Sequence, residues 1–113
     1  MEVQTYPEGF QKLSVTAVEW EAAFDVSGEC PVQAFGTVGG RDLYFRARHG
    51  EWWCEIADSN GNLPSDGYFS SDGFYREGLD PHNGYMPLPD AVVIIANFLK
   101  EYTGIDATPS TLA

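Results

Sequence analysis

The chain has 113 residues, close to the usual size of one domain, which excludes a large multidomain enzyme and predicts a single domain over residues 1–113. Hydrophobic residues make up 43% of the chain and charged residues 20%, a balance that predicts a globular protein and excludes a disordered tail. The 17 acidic residues outnumber the 6 basic ones, and the resulting net charge of −11 argues against direct binding to nucleic-acid phosphates.

The strongly apolar stretches of the sequence are short. The longest, residues 91–96 followed by Phe98 and Leu99, is far below the ~20 residues that a membrane-spanning helix needs. The first five residues contain neither a basic region nor an apolar one, so we expect no secretory signal and a cytoplasmic location. In that compartment Cys30 and Cys54 are predicted to be reduced thiols.

Two turn signals in the middle of the chain divide an alternating segment into strands. They are the Gly-Gly pair at residues 39–40 and the His-Gly pair at residues 49–50. Two-residue hairpin loops need positive φ, which glycine adopts without a steric penalty. The sequence therefore predicts a three-stranded antiparallel meander over Val32–Val38, Arg41–Arg48 and residues 51–57.

The two turns also predict how these strands are paired. If each loop has two residues, Val38 lies opposite Arg41, and Arg48 lies opposite Glu51. Both pairings place the apolar side chains on the same face, and a slip of one residue would move them to the other face. The predicted buried face consists of Val32, Ala34, Gly36, Leu43, Phe45, Ala47, Trp52, Cys54 and Ile56.

Residues 18–26 fit two interpretations. As a helix, the segment begins at a capping box formed by Thr16 and Glu19. As a strand, its even-numbered residues are apolar and only Ala23 interrupts the polar positions between them. We favour the strand, antiparallel to Val32–Val38, because the helix would leave more apolar side chains in solvent. This strand adds three side chains to the buried face: Trp20, Phe24 and Val26.

The C-terminal element is predicted to be a helix over Leu88–Thr103. Its apolar residues recur at the helical spacing. Pro87 and Pro89 suit the first turn, and Gly104 suits the position just after the last turn. We expect this helix to lie across the buried face of the sheet and to form the main core with it.

Residues 59–86 join the sheet to the helix and are rich in Gly, Asp, Ser and Asn. A structureless connection of that length is uncommon in a compact domain. Either residues 74–76 add an edge strand, or the segment is a functional loop held by its aromatic residues. The tail after Asp106 is expected to be frayed. The predicted fold is therefore α+β: an antiparallel meander of four strands, or five with the edge strand, and a C-terminal helix packed on one face.

The opposite face of the sheet carries aromatic and arginine side chains, with Arg46 predicted beside Trp53 and Tyr44 beside Glu55. Such pairs commonly stabilise neighbouring strands, or the long segment covers them. Alternatively they form a binding face, since aromatic residues and arginine are typical anchors of protein interfaces. Stacking of nucleic-acid bases on this face is opposed by the negative charge of the chain. The residues of this second candidate face are Phe35, Tyr44, Arg46, Arg48 and Trp53.

Sequence signals for catalysis and metal binding are weak. Residues 58–62 (Asp-Ser-Asn-Gly-Asn) match only the first half of a calcium-binding loop, and an Asn-Gly turn explains them better. Neither His49 nor His82 is placed next to an obvious nucleophile, and Cys54 is predicted to be buried and inert. The sequence thus predicts a protein that is not an enzyme and that has no metal site and no cofactor.

The net charge exceeds the magnitude of ~2–8 that is typical of a soluble domain of this size. We therefore predict a small acidic, non-enzymatic binding protein that inhibits a nucleic-acid-handling protein partner with a basic surface. Toxin-immunity proteins and the anti-defence inhibitors of phages and mobile elements, anti-CRISPR proteins among them, share this size and charge, which is an analogy only. An organism with an acidic proteome would also produce such a charge.

The segment of residues 59–86 is the first candidate for the contact, because it mixes aromatic and acidic side chains as interfaces do. The candidate partner-binding residues are Asp66, Tyr68, Phe69, Asp72, Phe74, Tyr75, Glu77 and Asp80. The alternative is a small enzyme or ligand-binding domain whose pocket lies beneath this segment. Its polar groups would be Tyr75, Arg76 and His82.

Overall fold

One helix packs against one face of an antiparallel sheet in the computed structural model, which describes residues 4–5, 11–28, 31–67, 72–82 and 85–112. The helix is α1 (Leu88–Thr103). The strands are β1 (Gln4–Thr5), β2 (Gln11–Ala17), β3 (Ala22–Ser27), β4 (Val32–Val38), β5 (Arg41–Arg48), β6 (Glu51–Ile56), β7 (Phe74–Leu79) and β8 (Ser110–Leu112).

The sheet is a meander, because β1 to β7 lie side by side in chain order and each strand is antiparallel to the next. The short strand β8 pairs with the outer edge of β2, further along the same edge as β1. The α+β class and the antiparallel meander with a C-terminal helix are confirmed. The number of long strands is six, β2 to β7, rather than the four or five predicted.

The predicted pairing at the centre of the sheet is confirmed. Val38 lies opposite Arg41 in the β4–β5 pair, and Arg48 lies opposite Glu51 in the β5–β6 pair. Phe45 lies at the middle of the resulting buried face and is fully inaccessible to solvent. Of the side chains predicted for this face, Trp52 is only partly buried, because it lies near β7 at the edge of the core.

The first predicted strand, residues 18–26, is partly wrong. Only β3 is a strand there, and Val18 to Trp20 form a 3-10 turn that ends at Glu21, which has a left-handed backbone with φ 52°. This turn leaves Val18 84% exposed, whereas Trp20 is buried and its indole N–H donates to the carbonyl oxygen of Ile105 at 2.7 Å. The turn reverses the chain between β3 and β2, a strand that the sequence interpretation did not include.

Both edges of the sheet contain more strand than predicted. The edge strand expected at residues 74–76 is confirmed and extends to Leu79 as β7, which pairs with β6. The tail after Asp106 was expected to be frayed, but Ser110–Leu112 form β8. The pairing of β8 with residues 14–16 of β2 supplies hydrogen bonds that a frayed tail would lack.

The predicted helix is confirmed at both ends. Pro87 precedes its first turn, and Gly104 follows its last turn with φ 72° and donates its N–H to the carbonyl oxygen of Lys100. The buried face of α1 packs over β2 and β3 and completes the core. Its buried residues are Leu88, Ala91, Val92, Ile95, Phe98 and Leu99. No helix among the described residues is long and apolar enough to cross a membrane.

Candidate functional site

The face of the sheet turned away from α1 carries a cluster of aromatic side chains and one arginine, which we call the outer platform. Side chains alternate between the two faces of a strand, so every second residue of β4 to β7 points to this side, away from the helix. The register places them in adjacent rows, with Tyr44 between Phe35 and Glu55, and Trp53 between Arg46 and Glu77. The outer platform consists of Phe35, Tyr44, Arg46, Trp53 and Tyr75.

Three of the four aromatic rings of the outer platform contact one another across the strands. The ring centres of Phe35 and Tyr44 are 4.9 Å apart, and those of Tyr44 and Trp53 are 6.2 Å apart in an edge-on arrangement. Phe35 is 57% exposed, so the platform reaches solvent at the β4 end. Tyr44 and Trp53 are partly buried. Aromatic rings that reach solvent in such a row are typical anchors of an interface.

Arg46 and Trp53 pack together as the sequence predicted. The guanidinium carbon of Arg46 lies 5.8 Å from the centre of the indole ring, within cation–π range. The Nε atom of Arg46 is shielded from solvent and has no hydrogen-bond partner among the described residues. The indole ring is therefore the neighbour on which this guanidinium packs. Arg48 is exposed at the end of β5, opposite Glu51, at the margin of the platform.

A fully buried carboxylate, Glu55, lies beneath the platform. Its Oε1 accepts the backbone N–H of Ser65 at 2.8 Å. Its Oε2 accepts the Ser65 hydroxyl at 2.6 Å and the indole N–H of Trp53 at 3.2 Å. These bonds attach the 3-10 turn Pro64–Asp66 to the outer face of β6, where it covers Glu55. The buried acid is thus a structural anchor for both the turn and the Trp53 ring.

The turn and the strands line an open cleft of about 490 Å³ on the outer face. Trp53 and Tyr75 form its aromatic wall, the turn at residues 64–67 forms the opposite wall, and Glu77 stands at its rim. Desolvation raises the pKa of the Tyr75 phenol, and the negative charges of Glu77, Glu55 and Glu51 raise it further. The cleft is therefore aromatic and lies in a negative field.

The loop residues predicted to bind a partner are divided by the structure. Tyr75 and Glu77 line the cleft, and Asp66 is exposed on the turn that forms its wall. These three residues lie beside the second candidate face. The second predicted site and this part of the first predicted site therefore form one surface. Tyr68 and Phe69 lie outside the described residues.

The other three predicted loop residues lie elsewhere. Phe74 points to the helix side of β7 and packs on Phe98 and Tyr102, with ring centres 5.2 and 5.3 Å away. The carboxylate of Asp72 lies 3.7 Å from the Arg41 guanidinium and accepts the Ser59 N–H. Asp80 is buried and accepts the N–H of His82. Asp72 and Asp80 therefore make structural contacts away from the outer platform.

The polar groups of the alternative pocket, Tyr75, Arg76 and His82, are not brought together. Tyr75 and Arg76 are consecutive in β7 and point to opposite faces. Arg76 forms a salt bridge with Glu101 of α1, and the His82 imidazole lies 3.3 Å from the Asp90 carboxylate. The described residues therefore do not assemble these three groups into one pocket.

Residues 58–62 form a tight turn organised by Asp58, whose carboxylate accepts the N–H groups of Asn60 and Asn62 at 2.9 and 3.0 Å. Within the described ranges, no three His, Cys, Asp or Glu side chains are grouped as metal ligands. Cys54 is buried as predicted, and burial raises the pKa of its thiol. Cys30 lies outside the described residues.

Sequence reasoning missed two features of the site: the burial of Glu55 and its attachment to Ser65. The Pro-Ser-Asp-Gly sequence at residues 64–67 is a recognisable turn signal. Nothing in that signal shows which part of the sheet the turn covers, because the contact joins residues ten positions apart.

Comparisons with known proteins assign neither a family nor a function to this chain. No family model, no curated protein and no solved structure matches this chain.

Proposed function

We propose that this chain is a small non-enzymatic binding protein that inhibits a nucleic-acid-handling protein with a basic surface, and that the outer platform is its contact surface. The observation that carries this proposal is the partly exposed aromatic row with its cleft, surrounded by carboxylates on an acidic chain. Anti-CRISPR and toxin-immunity proteins act by occupying the surface of such partners, and size and charge are what this chain shares with them.

The rings and the charges have different roles in this proposal. The aromatic rings supply apolar surface that is removed from water when the partner binds, and this burial contributes affinity. The carboxylates around them attract a basic surface from a distance and raise the association rate. Exposed carboxylates on the same face of the sheet are Asp25, Asp42, Glu51, Asp66 and Glu77.

The first test is capture of the partner from a lysate of the organism that encodes the chain, followed by rate measurements on the purified complex. The Asp66→Lys and Glu77→Lys double variant should associate more slowly than the wild type and lose most of its salt dependence. The matched control is Glu19→Lys with Glu21→Lys, an identical change in net charge at the exposed turn between β2 and β3.

Phe35→Ala tests the aromatic part of the contact, because this exposed ring can be removed at little cost to folding. It should raise the dissociation rate and leave the salt dependence unchanged. The captured partner should also lose its nucleic-acid activity when the wild-type chain is added in excess. Equal association rates for both double variants, or a partner that stays fully active in the complex, would refute the proposal.

A further inference from the structure

We propose that the cleft beside the outer platform binds the side chain of an arginine, with the guanidinium stacked on Trp53 and Tyr75 and paired with the carboxylate of Glu77. As part of a contact with a basic protein, this inference rests on the proposed function and names the group that anchors the partner. The cleft itself can be tested without the partner.

The cleft is large enough to admit one long side chain. Its volume of about 490 Å³ lies in the range of ~300–1,000 Å³ that small-ligand pockets have. Two aromatic side chains on neighbouring strands form one wall, and Pro64 with Gly67 forms the other. A flat guanidinium between such walls makes face-on contact with an aromatic ring while its edge remains free for hydrogen bonds.

The chain already makes the proposed contact once. The Arg46 guanidinium lies over the same Trp53 ring, at 5.8 Å from its centre, and is held there without a hydrogen bond from Nε to any described residue. The indole of Trp53 is also fixed by its hydrogen bond to Glu55. The ring is therefore preorganised, and little conformational entropy is lost when a second cation approaches the cleft.

The electrostatic field of the cleft selects a cation. Glu77 is exposed at the rim and forms no ion pair or hydrogen bond with the described residues, so its carboxylate is available to a guanidinium. Glu55 accepts its three hydrogen bonds from the chain and contributes only its charge. Desolvation raises the pKa of the Tyr75 phenol above its usual value, and the negative charges of Glu77, Glu55 and Glu51 raise it further. The charges of Arg46 and of Arg48, which lies opposite Glu51, oppose this field, and the three carboxylates outnumber them.

The geometry favours arginine over lysine. A guanidinium is planar and weakly hydrated, so it stacks on aromatic faces and pairs with a carboxylate through two parallel N–H groups. An ammonium group is compact and strongly hydrated, and it would keep more of its water in a cleft that is open to solvent.

The experiment is an NMR titration of the whole chain with N-acetyl-arginine amide, following the three indole N–H signals. The Trp53 signal, assigned by its loss in Trp53→Phe, should shift and saturate in the millimolar range. The signals of Trp20 and Trp52 should stay in place, since both side chains lie on the other face of the sheet. The neutral analogue N-acetyl-citrulline amide should cause no saturable shift, and N-acetyl-lysine amide should bind more weakly.

Glu77→Gln should weaken binding of the arginine probe about two- to five-fold, as the loss of one exposed charge pair does. Glu19→Gln is the matched control and should leave the affinity unchanged. A Trp53 signal that does not move, equal shifts with the citrulline probe, or equal affinities for both variants would overturn the inference.

The arginine site and the proposed function can fail separately. If the cleft binds the arginine probe but no protein partner is inhibited, the function is wrong and the site remains. If a partner binds the outer platform and neither N-acetyl-arginine amide nor Glu77→Gln weakens that complex, the function stands and the arginine site is wrong.

Discussion

Replacing the buried acid beneath the platform, Glu55→Gln, should destabilise the protein by about 1.5–3 kcal/mol, the usual value of one hydrogen bond to a charged group. The carboxylate accepts three hydrogen bonds, two from Ser65 and one from the indole of Trp53. A glutamine amide has one acceptor oxygen and one donor NH₂ group in the same space. In either amide orientation the NH₂ group faces an N–H that can only donate, so at least one bond is lost.

The assay is urea unfolding, with the free energy of unfolding extrapolated to water. Glu51→Gln is the matched control, because Glu51 is an exposed residue of the same strand, and its substitution should change stability by less than about 0.5 kcal/mol. Ser65→Ala removes only the hydroxyl bond and should cost about 1–2 kcal/mol. In the Glu55→Gln background that cost should be smaller, since the two groups interact directly. If Glu55→Gln is as stable as Glu51→Gln, the buried acid does not anchor the turn.

Phe45→Ala should lower the free energy of unfolding by about 3–5 kcal/mol, because it empties the centre of a fully buried face, and denaturant unfolding measures that loss. In a Cys30→Ser variant, the remaining Cys54 thiol should react with a thiol reagent at pH 8 only after unfolding. Burial raises the pKa of this thiol in the folded state, so its contribution to stability should decline as the pH rises above ~8.5, the value in the unfolded chain. Glu77→Gln should lower the pKa of the Tyr75 phenol, measured by ultraviolet absorbance against a Tyr75→Phe reference, and an unchanged pKa would contradict the negative field in the cleft.

The centre of the sheet could be predicted from sequence because two independent features of the sequence require the same strand pairing. Two-residue turns fixed the pairing of β4, β5 and β6, and the alternation of apolar side chains independently required the same register. A register shifted by one residue would place Phe45 outside and Arg46 inside. The limits of α1 were equally clear, since proline at its start and glycine after its end add to the helical spacing.

The outer strands were harder to predict because their patterns are short and interrupted. Leu13, Val15 and Ala17 alternate in β2, but the strand ends in a 3-10 turn that puts Trp20 in the core and Val18 in solvent. An alternating pattern that continues through such a turn imitates a single strand over residues 18–26. The tail strand β8 has no pattern of its own, and its structure comes from pairing with β2.

The candidate site depends on long-range packing, which explains why sequence placed it in two separate regions. Alternation along β7 sends Tyr75 and Glu77 to the outer face and Phe74 to the helix, so a segment that appears uniformly suitable for binding contributes only every second side chain. The face of a sheet by itself has no pocket into which a side chain of a partner can insert. The turn at residues 64–67 adds a wall beside Trp53 and so produces a cleft, and the buried Glu55 holds that wall in place. The position where a partner's side chain can insert is therefore set by the carboxylate that binds the turn to the sheet, and mutations at Glu55 should affect binding through the shape of the cleft as well as through charge.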